Sequence, residues 1–510
     1  MAPPETSFWE KSNGRRRRKV SALHLTALFL PFVVMQADDW PMLGRDFTRN
    51  PVSPEKNPPL EWDIKTGRNI KWRASLGYNV FADPIVAGGL VWAGTGNENP
   101  ADPAVVGEAA VLKCFRETDG QLLYQYVASS KRGLPYPLLS LGWSSSPLAE
   151  GPHLWFTTVH GEVHCLEVEP LRQGERMPRR VWRTDMVEKF NVFPQYRSMS
   201  GGKTCSIAAS YRNLIYVITG NGVAGWIDNQ WSDKVRSPEA PSLICFDKRT
   251  GEAVWKDNSP GTNILFSQWG SPLVVEIGGR GQVIAPQGDG WVRSFDALSG
   301  ELLWKLDMNP KAVTKRYERN QFLTAPVYYQ NHIFIGAGLD MEAGDGPGAL
   351  VCIDPAGRGD RSLEIDDGPG KGKPNPNSGV VWHFDQLGRT TSLVAIHNGL
   401  VIAAGFDGYL HCLDAATGQP YWRHDMKARV FGSPLIVDGK VYVADEDGSV
   451  RILELSKTKK LFFEHDMKSF MASSPIFANG VLYLATSQFL YAIEQGRFTP
   501  PPPDAPSLKK

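Results

Sequence analysis

The sequence predicts an all-β chain folded as an eight-bladed β-propeller of four-stranded antiparallel blades. The first sign is a recurring phrase, Asp-x-x-Thr/Ser-Gly, three residues, then Trp. It reads DKRTGEAVW from Asp247 to Trp255, DALSGELLW from Asp296 to Trp304, and DAATGQPYW from Asp414 to Trp422. Looser copies end at Tyr124 and Phe462, and Trp72, Trp182 and Trp382 close similar segments. A phrase repeated at this length marks one supersecondary unit copied around an axis. The second sign is the unit itself. Between Phe431 and Met467, Leu435 to Val437, Val441 to Val443, Val450 to Leu453 and Leu461 to Phe463 read as four short strands. Asp438-Gly439 and Asp447-Gly448 supply tight turns, and no helical periodicity intervenes. The third sign is that the chain ends complement each other. Trp72 lacks three strands before it, and Ser474 to Glu494 supplies three strands with no Trp strand after them. Joined, they make one blade and remove two bare edges. The count is then eight, with seven the alternative.

The elements follow in order. Residues 1–37 carry a basic block, Arg15 to Lys19, then an apolar run, Val20 to Met35. That order reads as an export signal, and Pro31 and the short run argue against a spanning helix. An uncleaved anchor is the alternative. Residues 38–68 read as an irregular lead-in strap, 69–496 as the propeller, and 497–510 as a disordered Pro-rich tail. The aromatic ending each repeat offers a large apolar face and one N–H, which suits a slot between blades.

Composition excludes some partners. The net charge is +1, with 55 basic and 54 acidic residues. A nucleic-acid surface needs a basic excess, so none is expected. Cys114, Cys165, Cys245, Cys352 and Cys412 fall on third strands of different blades, and Cys205 on a first strand. That reads as small buried residues kept apart, without disulfides. No spacing resembles a zinc site, and no metal site is expected.

The phrase together with Ser-Pro openings resembles the pyrroloquinoline quinone (PQQ) repeat, over about residues 40 to 494. That family includes exported eight-bladed PQQ-dependent alcohol dehydrogenases and non-enzymatic scaffolds of the BamB type. The dehydrogenase likeness is densest from Leu214 to Trp304, and Trp40-Pro41 through Gly44-Arg45-Asp46 resembles the opening of those enzymes. The resemblance places Asn221 on the Asn that binds Ca²⁺ beside the quinone. It also places Thr262 and Asn263 where those enzymes hold a catalytic Asp, so no general base is present there. Ala285 to Gly290 stands where a basic residue meets the quinone. The loop with the Ca²⁺-binding Glu is shortened to Val159 through Glu162. One ligand does not make a Ca²⁺ site of six to eight oxygens.

The long insertions, 96–109, 220–240 and 338–347, share one face of the ring, as do the connections 129–144 and 187–204. Loops on a rigid scaffold carry binding. Asn97, Glu98, Asn221, Asp340 and Glu342 offer polar groups there, and Trp226 and Trp231 offer aromatic walls, which together describe a pocket at the channel mouth. The alternative is that these Asn and Asp residues only complete turns. The connection 366–379 reads as flexible and on the opposite face, and Arg358-Gly359-Asp360 as a chance motif. The functional expectation is an exported, monomeric, non-catalytic scaffold of the periplasm or cell envelope. It would bind envelope proteins or a small ligand, meeting the membrane only through an uncleaved N-terminus. The alternatives are a PQQ- and Ca²⁺-dependent oxidoreductase acting on an alcohol or sugar, and a small-ligand or Ca²⁺ binder.

Overall fold

The computed structural model describes residues 38–129, 142–193, 205–227, 230–338 and 346–500. Eight four-stranded antiparallel sheets follow one another along the chain as the blades of a propeller. Blades 1 to 7 occupy 85–129, 148–185, 205–257, 273–307, 327–384, 395–425 and 435–466. Blade 8 joins Ile476–Ala478, Val481–Ala485 and Phe489–Phe498 to Arg68–Ser75. Its closing pair sets Ser75 opposite Phe489 and Arg68 opposite Phe498, so pairing runs past 496. Among the described residues no helix is long and apolar enough to cross a membrane. The segment 1–37 lies outside them.

Every letter of the repeat phrase has a physical task. On the fourth strand the aromatic faces a small residue of the third: Trp255 opposite Cys245, Trp382 opposite Cys352, Trp422 opposite Cys412, and Trp304 opposite Ser294. In blade 7 the residue in this register is Phe463, opposite Ile452, and not Phe462, which is the extra residue of a bulge. The indole then reaches the next blade. Trp72 donates to the Glu117 carbonyl at 2.8 Å, Trp182 to Lys248 at 2.7 Å, Trp382 to Ala415 at 3.1 Å and Trp422 to Ser456 at 2.9 Å. The repeat Gly lies under the ring. A Cβ on Gly120 would come within 2.7 Å of Trp72, and one on Gly418 within 2.6 Å of Trp382. Both glycines also hold positive φ, +72° in each. The Asp ties the turn: Asp414 accepts from the N–H groups of Ala416 and Thr417 and from the Thr417 hydroxyl, all at 3.0 Å. The five cysteines with described side chains are buried and unbridged.

The inner strands face the channel and would leave one edge of each sheet unpaired. The strap 38–62 supplies partners as it winds inside the ring. Trp40 bridges Val86 of blade 1, and the Pro41 carbonyl accepts from Ala149 of blade 2. Arg49 donates to the Pro272 carbonyl before blade 4 at 3.3 Å, and the Thr48 carbonyl accepts from Tyr328 of blade 5. Asn50 uses its amide on both the N–H and the C=O of Ile396 in blade 6, at 2.8 and 2.7 Å. Val52–Ser53 pairs in parallel with Ile436 and Val437 of blade 7. Glu55 accepts from Gly480 of blade 8 at 2.6 Å. Buried backbone groups need such partners, and here seven blades take them from one strand of chain.

Two outcomes test this account. Gly418→Ala combines the left-handed φ with a clash against a rigid indole and should cost at least about 2 kcal/mol of stability. Gly439→Ala has a similar φ of +71° but nothing within 4 Å; it should cost only about 1 kcal/mol in the same urea titration. The second outcome concerns Asp296. Burial alone would raise its carboxyl, but Arg280, the Ser299 N–H and hydroxyl and the Leu298 N–H outweigh this and lower it to about 2. A depressed carboxylate contributes stability above its unfolded value that is lost as pH falls through the folded one. Stability should therefore drop between the ordinary 3.8 and about 2, and Asp296→Asn should flatten that part of the acid-unfolding curve.

Candidate functional site at the channel mouth

Inner strands start on the face that carries the long insertions, and a well of about 50 Å³ opens there on the ring axis. Blades 1 and 4 to 8 contribute to its wall, and Leu43 of the strap lies in it. The residues before each inner strand are hydrogen-bonded from blade to blade. Ser474 of blade 8 donates its N–H and its hydroxyl to Asp83 of blade 1, at 2.7 and 2.8 Å. Ser433 of blade 7 donates its N–H to the Ser474 oxygen at 2.7 Å, and Leu393 of blade 6 donates its own to Ser433 at 2.9 Å. Thr324 of blade 5 donates to the Ser392 carbonyl at 3.0 Å. This polar belt accounts for the Ser-Pro openings.

Above the belt stands an aromatic rim. The rings of Phe81, Phe431 and Phe470 lie 6.0–6.3 Å apart, and Phe406 is 4.9 Å from Phe431. Trp269 and Leu323 continue the apolar wall on the side of blades 4 and 5. Sequence reasoning placed binding on the insertions and missed this rim. The signal was available: Phe81, Trp269, Leu323, Phe431 and Ala472 each stand three residues before a blade-opening Pro. Below the well Arg49 is fully enclosed, with burial lowering its guanidinium to about 10. It donates to the Leu43 carbonyl at 3.1 Å.

The sequence-predicted residues have other partners. Asn97 is buried and donates to the Val105 and Gly107 carbonyls at 3.0 and 2.9 Å, folding its own loop. The Glu98 carboxylate accepts the Tyr78 N–H at 3.0 Å. Asn221 is wholly enclosed; it accepts from the Phe193 N–H at 3.2 Å and donates to the Ser237 carbonyl at 2.8 Å. Trp226 and Trp231 face each other across the hairpin Val223–Ile227 and Gln230–Val235, with only their backbone described. Asp340 and Glu342 lie outside the described residues.

Of the positions that the dehydrogenase likeness singled out, Gln287, Asp289 and Glu162 are held by protein groups. Thr262 and Asn263 are exposed on a single 3₁₀ turn, Gly261–Asn263. Gln287 donates to Asp257 at 2.8 Å and accepts from Arg293 at 2.7 Å. Arg293 makes a buried two-pronged pair with Asp289, at 3.0 and 2.6 Å. Glu162 holds Arg183 at 2.7 Å and His164 at 3.1 Å. Burial keeps His164 below its ordinary pKa despite that carboxylate. Among the described residues no three His, Cys, Asp or Glu side chains are grouped to hold a metal ion.

A family model described as outer membrane protein assembly factor BamB matches residues 108–369 and 374–497. The chain belongs to the BamB family. BamB of Shewanella oneidensis is 20% identical over 250 residues, covering 43% of this chain and 58% of that protein. A polyvinylalcohol dehydrogenase of a Sphingopyxis strain is 35% identical over 80 residues, 14% of this chain and 12% of that enzyme. The chain therefore spans less than two thirds of either curated relative. The crystal structure of BamB from Moraxella catarrhalis superposes with a TM-score of 0.51 at 13% identity, covering 83% of this chain and 97% of that one. At that identity the likeness shows the fold alone.

Asn221→Ala should leave the Phe193 N–H and the Ser237 carbonyl without their partner. The expected cost is about 1–3 kcal/mol in a urea unfolding midpoint, which is what a loop tie predicts.

Proposed function

We propose that this chain is a non-catalytic docking scaffold of the cell envelope, exported through residues 1–37, which receives protein partners on the face bearing the channel mouth. The observation that carries this reading is the mouth itself: an aromatic rim over a well of about 50 Å³ whose polar belt is already paired. Small-molecule sites generally span roughly 300–1,000 Å³. A rigid apolar ring with a satisfied polar base suits the insertion of a partner's apolar side chain, with little ordering cost on the scaffold's side. Membership of the BamB family supports a role in assembly with envelope proteins.

The residues at the dehydrogenase positions do not fit a quinone and Ca²⁺. The Asn221 amide is used at both ends, Glu162 is held by Arg183 and His164, and the catalytic carboxylate position carries Thr262 and Asn263. A hard cation needs six to eight oxygens, and the pieces offered are spent on protein groups. The second reading, a PQQ-dependent oxidoreductase acting on an alcohol, is favoured by the short match to polyvinylalcohol dehydrogenase.

One experiment separates the two. Protein incubated with PQQ and Ca²⁺ and then gel-filtered should carry no quinone absorbance and reduce no dye with alcohols. Crosslinking in the intact envelope should recover protein partners from the wild type and lose them in Phe431→Ser/Phe470→Ser, a variant that keeps its folding midpoint within about 1–2 kcal/mol. Retained quinone with dye reduction would overturn the scaffold reading.

A further inference from the structure

The slot between blades 4 and 5 breaks the repeat. Trp304 keeps its N–H within its own blade, on Gln282 at 3.2 Å, and among the described residues no glycine of blade 5 lies against the ring. The connection 354–379 stands there instead. It adds Gly359–Asp360 to blade 4 as a fifth, parallel strand beside Trp304 and Lys305. It then climbs toward the insertion-bearing face: the Arg361 N–H reaches the Lys305 carbonyl at 2.7 Å, and the Asp307 N–H reaches the Ser362 hydroxyl at 2.8 Å. A hairpin, Glu364–Asp366 with Gly372–Pro374, completes it. Part of the stretch 366–379, expected as a flexible connection, thus belongs to a hairpin, and Gly359–Asp360 of the Arg-Gly-Asp motif forms the added strand. It leaves a groove of about 290 Å³ between the two blades. That is near the lower bound of roughly 300 Å³ for small-molecule sites.

The groove has apolar walls and unneutralised acid. Leu306, Met308, Val351, Val380 and Leu363 line it, and Leu363 is 47% exposed at its edge. The lining carboxylate Asp307 is held by Lys311 at 3.0 Å and approached by Arg319 at 3.3 Å. Two lining carboxylates remain, Glu364 and Asp385. Glu364 accepts the Lys311 backbone N–H at 3.1 Å, and Asp385 meets only the His383 ring, at 3.5 Å. Among the described residues neither meets a Lys or Arg side chain. Glu364 is half-buried and Asp385 is exposed at the groove's edge; an apolar cleft edged by carboxylates attracts positive charge and repels negative charge.

We propose that this groove binds a small organic cation with an apolar body, an aryl- or alkylammonium. Its body would lie against Leu306, Met308 and Leu363, and its ammonium toward Glu364 and Asp385. This site is separate from the channel mouth and does not rest on the scaffold reading.

The test uses two probes of similar shape and opposite charge, 2-phenylethylammonium and 3-phenylpropanoate, titrated into the full chain by calorimetry and ligand-observed NMR. The cation should bind roughly tenfold more tightly than the anion, a difference of about 1.4 kcal/mol. Glu364→Gln/Asp385→Asn should bring the two affinities together without moving the urea midpoint. Leu363→Ala should weaken the cation while leaving the charge preference in place. Equal affinity for both probes, binding of neither, or a preference that survives the double amide variant would overturn the proposal.

Discussion

An indole lying flat on a glycine of the neighbouring blade sets the geometry of this ring. The contact is possible only because that glycine has no Cβ and its φ is positive, and because a small residue, often Cys, makes room behind the Trp. The indole N–H then finds a carbonyl in the same turn, so a large side chain is buried with its polar atom satisfied. Trp72, Trp182, Trp255 and Trp382 join four pairs of neighbouring blades in this way, on Gly120, Gly251, Gly300 and Gly418. The inner strands converge, and a channel with a defined mouth results. After blade 4, where the added strand Gly359–Asp360 stands in the seam, a groove is left.

Much of this was legible in the sequence. The phrase ending in Trp gave blade number and register, because its parts must meet in space: Asp for the turn, Gly under the ring, Trp above it. The one register error, Phe462 for Phe463, came from a longer turn: the Glu454 N–H bonds to the Lys460 carbonyl, one residue further on than in the Asp414–Gln419 turn, and no Gly marks the place. The closing blade was legible because each chain end lacked what the other supplied. The candidate site was less so. Asn97 and Asn221 stood out as polar residues after glycine, yet they spend their amides on local carbonyls. The aromatic rim was hidden in the repeat itself, in a position where Phe, Trp, Leu and Ala alternate between blades. The extra strand at Gly359–Asp360 gave no signal, because two residues have no periodicity.

The mouth combines two properties that oppose each other in most surfaces. Its polar belt pairs Asp83, Ser474, Ser433 and Leu393 with one another, which uses hydrogen-bonding capacity that would orient a substrate. Its rim is apolar and tied to the rigid inner ends of the blades, which favours contact with another surface. The Asn221 amide and the Arg293–Asp289 pair serve as structural ties within the protein.

The strap has a bearing on how such a ring comes into being. It precedes every blade in the chain, so a ribosome delivers it first. Its contacts run from blade 1 at Trp40 to blade 8 at Glu55, nearly in the order in which the blades emerge. It can serve as a spindle on which successive sheets are wound, seven of them finding partners on it. Only the last turn must wait, because Ile70 has no partner until Ile493 has been made. Until then the nascent molecule is a spiral with one bare strand, and that brief interval is when it is most exposed to mispairing with its neighbours.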